Sequence, residues 1–515
     1  MSTSVSKAEL ETLKDDTLWS PLYTSSKITN SKGEQKFENM ASDFHHVIRK
    51  ATWYSSSLIK LNPSVDNDSV TYQVNSTFHF LCYVYRRYIL PHISVKAEYR
   101  DKVMICWPHN VGVNSIKTVS FLEDDVPYHN FDATWYDINS QFYTRPGFRE
   151  NYDRGVGNIS FLENWSHMLP SYPINVEEPF FYSLDSSYAF PMFYKGTQAR
   201  VIHAYDMRRK IVNLLRMKKQ NKRGLWTYIT DGKKICKYLE GISVNSVIPT
   251  PELWGRYAYV TDAELNIYKC SREAQVYYIK TVENFDALNR VTYEDKAIIG
   301  LNCKSPCLAI FWVAENQDAV AVHNFSNYTT NTDNVYEGYD PIATNDLIYE
   351  TGSTAIPWKS MDSDHFNIAS SRKHFPSSPC DFGYHGHSFA WDSTSVDVQI
   401  AIILAKLGAK LAVSIRDTNY FNTNKNKYIT NEDHSTIDDQ DLPTEYDSDG
   451  GVSGSGGSQR TKTTRISKSV KKENSDKKTP GFILRVRLLV LRKFSIIPQV
   501  GAPGTPNEKW SFKLE

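Results

Sequence analysis

"GYHGHSFAWD", residues 383–392, is the stretch on which the reading of this chain turns. His385 and His387 stand two apart, which on a β-strand places both imidazoles on one face, as half of a metal centre would require. The same residues also set Tyr384, Gly386 and Ser388 against His385, His387 and Phe389, which is ordinary strand alternation. No further histidine or carboxylate accompanies the pair at metal-ligand spacing, so a structural strand is expected, with no metal and no cofactor.

Working outward, the chain holds many runs of the same kind. "VTYQVNSTFHFLCYVYRRY" (70–88), "ISVKAEYRDKVMICW" (93–107), "ARVIHAYDM" (199–207), "AQVYYIKTV" (274–282), "AIIGLNC" (297–303) and "CLAIFWVA" (307–314) are short, aromatic or β-branched, and separated by turn residues. Aromatics make up 13% of the chain, with 32 Tyr and 24 Phe, which favours strands over helices. At 515 residues the chain is too long for one ordinary core, and many short strands over two domain lengths point to tandem sandwiches or jelly rolls. The formal net charge of +1 gives no global field that would select nucleic acid or an anionic membrane.

The beginning, "MSTSVSKAELETLKDD", lacks the apolar region of a secretory signal, and "AIILAKLGAKLAV" (401–413) is too short and too charged for a membrane span, so synthesis in the cytosol is expected. Seven scattered cysteines fit buried thiols rather than a disulfide framework, and the Cys303–Cys307 pair has no second pair to complete a zinc site. Residues 1–40 are polar and look like an arm. Residues 315–362, rich in Asn, Thr, Asp and Tyr, look like one long ordered loop. Residues 431–478 run from an acidic half through "GVSGSGGS" to a basic half and are too poor in apolar residues to offset the entropy of ordering, so a disordered insertion is expected. The strand pattern resumes after it at "GFILRVRLLVLRKFSII" (481–497).

The common phosphate-loop, dinucleotide, zinc-protease and serine-hydrolase motifs are missing, and the run Glu123, Asp124, Asp125 reads as a solvated turn rather than a catalytic carboxylate pair. Sequons occur at Asn67, Asn75, Asn158, Asn164, Asn324 and Asn327. All are expected to be bare; if any carries sugar, Asn324 and Asn327, placed by this reading in a projecting loop, are the first candidates.

Six segments in order resemble one family, the double jelly-roll major capsid proteins of large icosahedral double-stranded DNA viruses (the nucleocytoplasmic group and its relatives). "IKTVSFLEDDVPYHNFDATWYDI" (116–138) is similar to a strand, a polar turn and a Trp-bearing helical stretch of that family, with Thr118, Ser120 and Trp135 in the matching places. "EEPFFYSLDSSYAFPMFYKGTQARVIHAYD" (177–206) resembles its Pro-Leu-Pro-Phe-Trp-Phe segment and the turn after it, through Pro179, Phe180, Phe181, Ala189 and Pro191. "ELWGRYAYVTDAELNIYKCSREAQVYYIKTV" (252–282), with Trp254 near its start and Glu264 in an acidic junction, resembles the passage from the first jelly roll to the second. "SPCLAIFWVA" (305–314) matches a second-half strand through Trp312, and the opening decapeptide matches another through Ser388, Phe389 and Ala390. "ILRVRLLVLRKFSI" (483–496) looks like the closing strand, where Val490, Leu491 and Arg492 stand for Val-Leu-Arg. The family's Pro-Ser-Gly and Asn-Phe-Ser segment is absent, which marks a divergent member.

The resemblance implies an all-β fold of two tandem eight-stranded antiparallel jelly rolls with long inter-strand loops: an arm at 1–40, the first jelly roll at 41–262 and the second at 263–515, with 315–362 as a tower-like loop. It implies a non-enzymatic major capsid protein, made and assembled in the host cytoplasm, that forms homotrimeric, pseudo-hexagonal capsomers in the virion shell. The implied partners are neighbouring capsomers, minor capsid and penton proteins and an internal membrane where one underlies the shell, with no specific nucleic acid. The alternatives are a minor capsid or scaffolding protein of the same fold, or a carbohydrate-binding or carbohydrate-processing sandwich.

Overall fold

The computed structural model describes residues 25–29, 35–39, 54–66, 68–184, 186–194, 199–270, 274–292, 296–351, 354–357, 361–390, 392–394, 401–416, 428–429, 481–499 and 509–514. The insertion expected at 431–478 lies outside them, as does most of the arm, of which a hairpin pairing Ser25–Thr29 with Gln35–Asn39 is described.

The first half is built from β1 (Tyr54–Lys60), β2 (Asn62–Val65), β3 (Ser69–Gln73), β4 (Phe80–Leu90), β5 (Thr118–Glu123), β6 (Val126–Asp132), β7 (Tyr172–Glu177), β8 (Ala199–Ala204) and β9 (Glu252–Val260). They form two antiparallel sheets in the orders β7-β4-β9-β1 and β6-β5-β8-β3-β2. Strand alternation places Val119 and Phe121 of β5 and Val201 of β8 in one core between the sheets, where Leu81 and Val84 of β4 join them from either side of a β-bulge at Cys82, all fully buried. The helix α1 (Ala133–Phe142) follows β6, where the Asp132 carboxylate caps it by accepting the Trp135 backbone N–H at 3.1 Å.

The second half comprises β10 (Gln275–Asp286), β11 (Lys296–Gly300), β12 (Cys307–Asn316), β13 (Ile342–Thr351), β14 (Thr354–Pro357), β15 (Tyr384–Ser388), β16 (Lys410–Ile415), β17 (Phe482–Gln499) and β18 (Lys509–Leu514). Its sheets run β10-β17-β12-β15, with β18 also on β17, and β11-β16-β13-β14. Leu484, Val486, Leu488 and Val490 of β17, with Ile310 and Trp312 of β12, fill the core between them. The helix α2 (Asp262–Cys270) joins the two halves.

The strand β12 is buried at every one of its residues. Its Ile310, Trp312 and Ala314 face the second core, while Leu308, Phe311 and Val313 belong to the core of the first half. One sheet is thus covered by its own partner sheet on one side and by the first sandwich on the other, which is why "CLAIFWVA" is apolar without alternation.

The expected loop over 315–362 divides. Residues 342–351 are a core strand, and among the described residues of this span the stretch from His323 to Pro341 is irregular, apart from one helical turn at Val335–Glu337. The acidic run also differs from its expected solvated turn. Asp124 and Asp125 do make the hairpin turn, both with positive φ. Glu123, however, is 1% exposed, and burial pushes its carboxyl up to about 8.

Candidate functional site at the seam between the sandwiches

The seam is assembled from α1 on one side and β12, β15, β17 and the 323–341 loop on the other. The strand β15 carries the histidine pair and divides its two faces between the second core and the seam. His385 stacks on Trp312, with ring centroids 5.8 Å apart, and its Nε2 lies 2.8 Å from the Asp340 carboxylate. His387 packs edge-on to Phe389 and Phe366, and burial, with His374 and His365 nearby, lowers its pKa to about 4. Among the described residues no three His, Cys, Asp or Glu side chains come together as a metal site. Gly386, between the histidines, faces the other way. A Cβ there would stand 2.9 Å from Phe142 Cε1 and 3.1 Å from Phe311 Cδ1, so only glycine lets the first sandwich approach this closely.

Around that contact the aromatic rings interlock. Phe142 of α1 lies 5.0 Å from Phe311 and 5.1 Å from Phe375, and Trp135 lies 5.8 Å from Phe311, with the tilted or edge-on geometry that aromatic pairs favour. An ionic clamp stands beside them. Arg487 of β17 is buried, and its Nε donates to Asp132 Oδ1 at 3.1 Å while Nη2 donates to Oδ2, a bidentate pair that joins the two sandwiches. Its Nη1 donates to Asp286 Oδ1 at 2.6 Å and to the Val486 carbonyl at 2.8 Å. Asp132 therefore caps α1 and anchors the neighbouring sandwich with one carboxylate.

The loop after β12 folds back onto the first half. Tyr328 donates to Asp137 Oδ2 at 2.8 Å, and Asn110 donates to Oδ1 of the same carboxylate at 2.6 Å. Asn114 donates to the Ser326 hydroxyl at 2.7 Å, His323 Nδ1 donates to the Leu215 carbonyl at 3.0 Å, and Arg216 donates to Asp333 Oδ1 at 2.9 Å. Burial raises Asp137 to about 6 despite the hydrogen bonds it accepts. The many asparagines of this loop have a local purpose. Asn327, Asn331, Asn334 and Asp340 each accept the backbone N–H two residues on, at 2.9–3.1 Å, which satisfies main-chain donors that a buried loop cannot give to water.

The residues singled out in the sequence fall into place as follows. Trp135 is a seam residue; Phe180, Phe181 and Pro191 are buried in the first core, with Pro179 half-buried beside them. Trp254 is half-buried on β9 and donates to Glu252. Trp312 is in the second core and donates to Asn345 Oδ1 at 2.8 Å. Ser388, Ala390 and Leu491 are buried, Phe389 is half-buried, and Arg492 pairs with Glu283 at 3.3 Å. Asn324 and Asn327, the first candidates among the sequons, do not stand in the projecting loop expected for them. They are 1% and 0% exposed, and their amides donate to the Thr332 and Asn331 carbonyls, so neither can carry a sugar in this fold. Sequence reasoning missed Arg487, Asp132, Asp137 and Tyr328. The legible signal for Arg487 was an arginine in the middle of the apolar run "FILRVRLLVL".

No family model matches the sequence. Among curated proteins, the chain is 23% identical over 371 residues to the major capsid protein of Simulium iridescent virus, covering 67% of this chain and 75% of that protein. It is 24% identical over 378 residues to the major capsid protein of Invertebrate iridescent virus 6, covering 68% and 77%. Among solved structures, the Faustovirus major capsid protein superposes with a TM-score of 0.59 at 8% identity, over 88% of this chain and 92% of that one. The capsid protein in the quasi-atomic model of the PBCV-1 virus capsid gives 0.58 at 10% identity, over 90% and 100%. These likenesses establish the double jelly-roll fold.

Proposed function

We propose that this chain, a divergent double jelly-roll major capsid protein, works by trimerising into pseudo-hexagonal capsomers that tile an icosahedral shell. The observation that carries the proposal is the seam. Arg487–Asp132, the Phe142–Gly386 contact and the folded-back loop hold two sandwiches as one rigid block, and three such blocks present six wedges. Closed threefold symmetry requires two different patches on each block. Both halves offer outward-facing apolar side chains for this: Tyr54, Leu58 and Ile89 on the first, Val276 and Tyr278 on the second, all between 45% and 60% exposed. A net charge of +1 lets such blocks crowd without mutual repulsion.

On this reading the protein is a structural one that needs neither metal nor cofactor and is made and assembled in the host cytoplasm. Its partners are neighbouring capsomers, minor capsid and penton proteins and a membrane where one lines the shell. Mass photometry of the purified protein at sub-micromolar concentration tests it: a trimer is expected, and a folded, stable monomer would overturn it. Electron microscopy and protein abundance in purified virions then separate a shell protein from a transient scaffold.

A further inference from the structure

The two halves repeat one another. In each, the first strand pairs with the last, the last with an inner strand, and the inner strand with the one that follows a helical excursion: β1-β9-β4-β7 in the first half, β10-β17-β12-β15 in the second. The excursions also open alike. "DATWYDI" (132–138) and "DSDHFNI" (362–368) both end a strand on an aspartate and enter a helix, α1 in the first half and His365–Ala369 running into Ser370–His374 in the second. Each turns one ring into its own sandwich, Tyr136 lying 5.2 Å from Phe131 and Phe366 lying 5.0 Å from Trp312.

What surrounds them does not repeat. The excursion of the first half lies on the outer face of the second half's sheet, so Ile138 is fully buried and so is every residue of β12. Its counterpart Ile368 is 56% exposed, with Asp362, Asp364 and Arg372 exposed around it. β4, the counterpart of β12, leaves Tyr83, Tyr85, Arg87 and Ile89 half-buried or exposed on its outer face, beside Trp254 and Arg256 of β9. The charges show the same mismatch. Within the chain, Asp132 reaches Arg487 of β17 across the seam. Asp362 forms no ion pair among the described residues. Nor does Arg256 on β9, the counterpart of β17, whose guanidinium lies 5.6 Å from the centroid of the Tyr83 ring. One chain therefore carries a helical excursion without a sheet and a sheet face without an excursion.

We propose that these two surfaces meet between chains. Ile368 of one copy seats on the Tyr83, Tyr85 and Trp254 face of the next, with Asp362 against Arg256, as α1 and Asp132 seat on β12 and Arg487 within one. The contact joins two different patches, so it runs head to tail and closes when the third copy meets the first. This inference rests on the capsomer reading and assigns the faces that form its trimer.

Mass photometry of the full chain at sub-micromolar concentration tests it, with near-UV circular dichroism to check that each variant folds. Asp362→Arg, Arg256→Asp and Ile368→Asp should each weaken trimer formation about tenfold or more, because each sets a like or unpaired charge into the contact. The double variant Asp362→Arg with Arg256→Asp should restore the trimer, which a folding defect would not allow. Lys222→Glu, on an exposed turn of the first half, is the control and should leave assembly unchanged. A wild-type trimer that all three single variants retain would overturn the face assignment and leave the capsomer reading intact. Single variants that fail without rescue by the double exchange would overturn the pairing of Asp362 with Arg256. A folded, monomeric wild type would overturn the capsomer reading and this inference together.

Discussion

Replacing Arg487 with methionine tests the seam most directly. The side chain is 1% exposed and forms the bidentate pair with Asp132, so removing it strands a carboxylate that is 23% exposed. Breaking a buried pair from one side costs about 3–5 kcal/mol. Asp132 retains some contact with water and its bond to the Trp135 N–H, which sets the expectation at the low end, about 3 kcal/mol. Asp286 is 35% exposed and adds little. The cycle Arg487→Met, Asp132→Asn and the double variant, followed by urea unfolding with tryptophan fluorescence, should give a coupling of about 2 kcal/mol. Lys60→Met, at a pair whose side chains are 47% and 42% exposed, is the control and should cost under about 1 kcal/mol. The wild type should unfold both sandwiches together, and Arg487→Met should let one unfold before the other. A loss below about 1 kcal/mol with coupling near zero would refute the claim that this clamp joins the halves.

Three further outcomes are expected. Gly386→Ala should cost about 1–3 kcal/mol and lower Tm, because its Cβ meets two aromatic rings, whereas Gly300→Ala, where nothing lies within 4 Å, should cost far less; equal effects would contradict the close approach at β15. Asp137 keeps its proton to about pH 6 in the fold, while an unfolded aspartate releases it near 3.9. Its contribution is therefore complete below that lower value and is lost as pH rises through 6, roughly 2–3 kcal/mol in all. His109, which burial pushes down but Glu163, with Asp381 and Asp137, raises on balance, acts in the same direction, its contribution lost as pH rises. Urea midpoints at pH 5 and 7 should show a fall that Asp137→Asn reduces; an unchanged difference would contradict the assignment. Finally, zinc should neither co-purify with the protein by elemental analysis nor raise its Tm, and one tightly held zinc per chain would reopen the reading of residues 383–392.

The strands were legible wherever one face meets a core, because alternation then leaves a period of two, as in "ARVIHA" and "FILRVRLLVL". The Trp-bearing helix was legible only through resemblance, since ten residues with a weak apolar stripe do not declare themselves. The 323–341 loop was misjudged because Asn, Thr and Asp are polar by composition, and composition does not distinguish amides that face water from amides that hold a buried backbone. The spacing of Asn327, Asn331, Asn334 and Asp340 before backbone turns was the available clue. The seam itself was beyond reach, since an arginine within an apolar run marks Arg487 as needing a partner but nothing in the sequence names Asp132, 355 residues away, as that partner.

The place of β17 has a consequence for biogenesis. It is the penultimate described strand, yet it sits between β10 and β12, which do not pair with each other. Until it leaves the ribosome, both strands present open edges, and the first sandwich presents Trp135 and Phe142 to an unfinished neighbour. Translation from residue 316 to residue 482 takes on the order of 8–30 s at about 5–20 residues per second. Throughout that interval each nascent chain carries a template for strand addition. On the proposed capsid reading, in which many copies are made together, chains truncated before β17 should aggregate through these open edges rather than enter shells.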